Sequence, residues 1–139
     1  MYDTGIAFVL GRLTEAIEAE EDPRERLLAG LRTFLEVLSE EPAFCRAIVL
    51  EVYAAGPAGI ARRRAVLQVF AGRYIEVNRQ ARETDPDVEP LTGEVALGVV
   101  GAILEAVSNL IEEGRTTDLV ELTEPLSDFV LRNVLPTCP

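Results

Sequence analysis

The chain contains no histidine, no tryptophan and no lysine, because all 13 of its basic residues are arginine. Without histidine or lysine, one chain cannot assemble a Ser-His or Cys-His nucleophile pair, a Schiff base or a phosphate-binding ammonium, so most catalysis near neutral pH is excluded and no enzyme is expected. Its 2 cysteines, Cys45 and Cys138, are too far apart in sequence for a CxxC zinc or redox motif and too few for a secreted disulfide framework. No metal site and no cofactor are expected, and a reduced, cytoplasmic chain is the default. The residues before the apolar stretch 6–10 offer no positive n-region, so no signal peptide is expected.

What is present is a hydrophobic share of 48% in 139 residues, enough for one well-cored domain, with 24 acidic against 13 basic residues and a net charge of −11. Such a surface repels phosphates, and the only basic run, Arg62-Arg63-Arg64, cannot place all its charges on one helix face, so this chain alone is not expected to bind nucleic acid. The most membrane-like segment, 95–111, spans 17 residues and includes Glu105, Ser108 and Asn109, which puts it short of a span and makes it a buried helix with no membrane role.

Apolar residues recur at three- and four-residue spacing almost throughout, and strand-type alternation is nearly absent, so the expected class is all-α with six helices. The first covers 3–20. Asp22 and Pro23 suit the cap and first turn of a second helix that ends near residue 40, with Glu25 placed to complete a capping box. A third, 42–55, stops at Gly56-Pro57, and a long fourth covers 58–82. The polar segment 84–90 is the one clear loop. The fifth helix, 91–113, is apolar nearly all round, and the sixth carries Leu119, Leu122, Leu126 and Phe129, with Thr116, Thr117 and Asp118 as cap candidates and a bend at Pro125.

A helix apolar on every side must be covered on every side, and a second subunit is the natural cover. Gly98, Gly101 and Ala102 remove bulk and would let a neighbouring backbone approach, so the last two helices of each subunit would form an intersubunit four-helix bundle. The interface residues of such a homodimer would be Leu97, Gly98, Gly101, Leu104, Ser108, Ile111, Leu122, Leu126 and Phe129. The alternative is a monomer with the fifth helix at its centre and the glycines serving internal packing.

The aromatic residues Phe34, Phe44, Phe70 and Tyr74 fall where a cavity between helices could be lined, with Leu38, Ile48, Val52 and Ile103 completing the candidate ligand-binding set. Glu51 shares an α-helical stripe with Phe44, Ile48 and Val52, which would turn its carboxylate toward the apolar side, where it needs a partner. That partner is either one of Arg62, Arg63 and Arg64 or a ligand. The lining suits an apolar or amphipathic small molecule.

The order of these pieces resembles the C-terminal effector-binding and dimerisation domain of TetR-family transcriptional regulators. The resemblance is carried by Asp22-Pro23-Arg24-Glu25-Arg26-Leu27, by Pro42-Ala43-Phe44, by Glu51 through Gly56-Pro57 with Arg62-Arg63 after it, by Val100-Gly101-Ala102-Ile103, by Ile111-Glu112-Glu113-Gly114-Arg115, and by the Leu119, Leu122, Pro125, Leu126, Phe129 spacing. It implies a homodimer joined through its last two helices, with a small effector enclosed by the preceding ones. In that family, effector binding changes the spacing of two DNA-reading heads. The basic helix-turn-helix head has no counterpart here, so DNA would be reached only through an N-terminal domain absent from this chain, to which 1–21 would be the linker helix. Either the sequence is a piece of a longer regulator or the domain stands alone. The rival from another class is a purely structural helical dimerisation module without a ligand.

Overall fold

The computed structural model describes residues 2–137, so Cys138 lies outside the described residues. It contains six α-helices, α1 (Tyr2–Glu18), α2 (Pro23–Glu40), α3 (Pro42–Val49), α4 (Pro57–Thr84), α5 (Gly93–Glu112) and α6 (Thr123–Val134), with 3₁₀ segments at Glu51–Ala55 and Thr116–Leu122. Among the described residues there is no strand, only an isolated antiparallel bridge between Val88 and Thr137.

Each boundary has a local cause. At the start of α2 the Asp22 carboxylate accepts the Glu25 N–H at 3.2 Å, and Pro23 occupies the first helical position, where its missing N–H costs nothing. Gly56 and Gly114 are the positive-φ residues of the described chain, at 72° and 74°. Gly56 turns the chain into Pro57 and α4. Gly114 closes α5 through paired bonds, its own N–H to the Ile111 carbonyl and the Arg115 N–H to the Leu110 carbonyl, which satisfy carbonyls the helix end leaves open. Thr92 caps the other end by accepting the Val95 N–H.

Two expected helices prove shorter. The α-helical hydrogen bonds of α3 stop at Leu50 and residues Glu51–Ala55 continue as 3₁₀, with three residues per turn in place of 3.6. The sixth helix begins at Thr123, so Pro125 lies in its first turn, where no carbonyl four residues back in the same helix awaits its N–H, and it starts the helix instead of bending it. Leu119 and Leu122 belong to the preceding 3₁₀ segment, and Asp118, expected as a cap, pairs with Arg115 at 3.1 Å.

In the packing, α1 lies against α2, α4 against α5, and the segment Thr116–Leu122 with α6 closes over α2. The core runs from Leu27, Leu31, Leu35 and Leu38 of α2 across to Val99, Ile103, Val107 and Leu110 of α5 and Val130 and Val134 of α6. Phe44 of α3 packs into the space left by Gly5 of α1, where an added Cβ would meet its ring. One polar side chain is buried with this core. Asn78 of α4 donates to the carbonyls of Glu89 and Val134 at 2.9 and 2.7 Å and accepts the Leu91 N–H at 3.0 Å, so it joins the loop before α5 to the end of α6.

The chain covers α5 on one side only. Ala96, Val99, Val100, Ile103, Val107, Leu110 and Ile111 are buried, whereas Val95, Gly98, Ala102, Glu105 and Asn109 are exposed. At 20 residues it is also long and apolar enough to cross a membrane by length and composition, whereas the sequence alone places the run 95–111 short of a span.

Candidate functional site: an apolar cavity and a groove

The side chains expected to share one pocket divide mainly between two places, with Ile48 also lining a narrow gap beside Phe34 and Phe70. Phe34, Phe70, Tyr74 and Ile103 do come together, in a cavity of about 70 Å³ enclosed by α1, α2, α4 and α5 and partly open to solvent. Phe34 and Phe70 meet edge to face with centroids 5.7 Å apart. Leu13 and Ile17 of α1, Leu27, Gly30 and Leu31 of α2, Val77 of α4 and Val100 and Leu104 of α5 complete the apolar wall. The volume exceeds that of one water, about 30 Å³, and falls below the roughly 300–1,000 Å³ typical of pockets for drug-sized ligands.

Phe44, Ile48, Glu51 and Val52 lie elsewhere, along a wider groove of about 400 Å³ between the 3₁₀ segment and the start of α4, with Ala58, Gly59 and Arg62 opposite. Leu38 is fully buried in the packed core. Glu51 does not turn inward. Its side chain is 63% exposed and stands 3.9 Å from the Nε of Arg46, itself exposed, so the pair contributes at most about 1 kcal/mol. Glu51 keeps its alignment with Phe44, Ile48 and Val52, which all line the groove, but the groove is open to solvent there, so sharing that stripe does not bury the carboxylate. Of the arginine run, Arg63 stacks its guanidinium over the Tyr53 ring at 5.1 Å.

The polar side chains of the smaller cavity were not in the expected set. Arg26 donates through Nε to the Glu20 carbonyl and through Nη1 to Gln80 Oε1, both at 2.8 Å, and Arg73 donates through Nη1 to Thr14 Oγ1 at 2.9 Å. The Tyr74 hydroxyl makes no hydrogen bond among the described residues, and burial pushes it well above the usual tyrosine range, so it stays protonated. A sequence signal for the arginines existed, since each sits within a turn of apolar wall residues, Arg26 beside Leu27 and Arg73 beside Phe70 and Val77. Among the described residues no group of three or more His, Cys, Asp or Glu side chains is placed to hold a metal ion.

The outer side of α5 was expected to meet a partner subunit. Gly98 is exposed, Leu97, Gly101, Leu104 and Ser108 are half-buried, and Leu122, Leu126 and Phe129 are half-buried on the segments that follow. An added Cβ at Gly98 or Gly101 would meet nothing within 4 Å, so neither glycine is required by packing inside this chain. Ile111 departs from the expectation. It lies on the same face as Val100, Ile103 and Val107 and is 2% exposed in the chain's own core, beyond a partner's reach. Leu104 also walls the cavity, so one helix serves both places. No protein-family description, no curated protein and no solved structure matches this chain.

Proposed function

We propose that this domain binds a small apolar or amphipathic molecule and pairs with a second copy of itself, as the regulatory part of a TetR-like transcriptional repressor. One observation carries the proposal: α5 walls the cavity with Val100, Ile103 and Leu104 and also leaves Gly98 and Gly101 open to an incoming surface. A ligand that displaces α5 by contact in the cavity would then alter the geometry of the dimer, and its differential affinity for two dimer arrangements is the only source of energy the switch needs. DNA reading would fall to an N-terminal head joined through α1, and the acidic balance of the domain, −11, argues against a direct contact with phosphates. The setting would be cytoplasmic, and no catalysis is proposed.

The test is native mass spectrometry and sedimentation of the chain beside Gly98→Leu. The wild-type chain is expected to be a dimer at micromolar concentration. Because the space around Gly98 is open and leucine favours a helix over glycine, the variant should keep its circular dichroism as a monomer whose melting temperature no longer depends on protein concentration. A monomeric wild type, or a variant that dimerises unchanged, removes this interface.

A further inference from the structure

Among the described residues, every side chain able to hydrogen-bond that lines the cavity between α1, α2, α4 and α5 carries a donor: Arg26, Arg73 and Tyr74. Among the described residues no carboxylate, amide or serine or threonine hydroxyl lines it. This is unusual in a chain with 24 acidic and 13 basic residues, in which Arg79 and Arg115 each gather carboxylates at the surface. Arg26 and Arg73 are half-buried, yet their bonds run to a carbonyl, an amide oxygen and a hydroxyl, all neutral. Neutral acceptors hold a guanidinium in place without cancelling its charge. Two such charges beside an apolar wall favour an anion whose remaining surface is apolar.

We infer that the cavity takes a compact monocarboxylate, with its apolar body against Phe34, Phe70 and Val100 and its carboxylate held by Arg26, Arg73 and the Tyr74 hydroxyl. The planar guanidinium suits a carboxylate through paired N–H donors, and the small volume favours a short branched or aromatic acid over a long chain. The inference narrows the amphipathic effector of the proposed function and rests on this cavity being its site.

The experiment titrates the full chain with two acid and amide pairs, isovalerate with isovaleramide and benzoate with benzamide, at constant ionic strength. Methyl NMR signals of Leu31, Val100 and Ile103 report occupancy. Each acid is expected to bind at least tenfold more tightly than its amide, and Arg73→Gln should cut that preference below threefold without changing amide affinity, while Arg73→Lys retains part of it. Should Arg73→Gln fail to fold, the acid-to-amide ratio of the wild type decides. Amides that bind as well as the acids would overturn the carboxylate inference and leave the cavity as a neutral effector site. No methyl shift with any of the probes would overturn both.

Discussion

Asn78 shows how one side chain can decide the path of two segments. It is 3% exposed and satisfies the carbonyls of Glu89 and Val134 and the N–H of Leu91, none of which has a helical partner at hand. Asn78→Leu keeps the bulk and takes away the buried donor to the Val134 carbonyl and the acceptor of the Leu91 N–H. It should lower stability by about 2–4 kcal/mol and the melting temperature by roughly 5–15 °C, as read by calorimetry. A half-buried amide on the same helix, Gln80→Leu, loses its bonds to Arg26 and Glu76 and should cost well under half as much. The residue scale is also where the sequence was least legible. Periodicity places Glu51 on one stripe with Phe44, Ile48 and Val52, as the groove has them, but it does not report whether that stripe is covered, and here it is open to water.

At the scale of elements, glycine marks two opposite situations. Gly59 brings the first turn of α4 against the 3₁₀ segment so closely that an added Cβ would lie 2.2 Å from the Val52 carbonyl oxygen, whereas Gly98 faces open space. Gly59→Ala should therefore destabilise by about 1–3 kcal/mol as the elements are forced apart. By contrast, Gly98→Ala in the monomer should be neutral or stabilising by up to about 1 kcal/mol; urea denaturation of the two variants checks the contrast. Helix number, order and most ends were legible, since Asp22-Pro23, Gly56-Pro57 and Gly114 act through backbone geometry within a few residues of themselves. The cavity was half legible. Periodicity places Phe34, Phe70, Tyr74 and Ile103 on inward faces, but the placement of Phe44 in another groove depends on where α3 crosses α1, and the arginines of the wall escape any search for apolar residues.

For the molecule as a whole, burial of protonated groups sets a limit on the alkaline side. The Cys45 thiol, ordinarily titrating near 9.0, is pushed up to about 12 by desolvation, and the Tyr74 hydroxyl, ordinarily near 10.0, is raised by the same cause. Above pH 9 the unfolded chain releases protons that the folded chain retains, so stability is whole below that pH and declines as pH rises toward 12, by at most about 1.4 kcal/mol per unit for each group. Urea midpoints at pH 8, 9.5 and 10.5 should fall in sequence, and Cys45→Ala should flatten the decline; a level series would show that these groups titrate alike in both states. The Asn78 junction has a further meaning for how the molecule is made. A ribosome releases Asn78 56 residues before Val134, which at cellular rates of about 5–20 residues per second is a delay of roughly 3 to 11 s. Throughout that interval the Asn78 amide of α4 lacks its Val134 acceptor, so the nascent domain stays a client of whatever shields unfinished chains, and this step of folding waits for α6 to be translated.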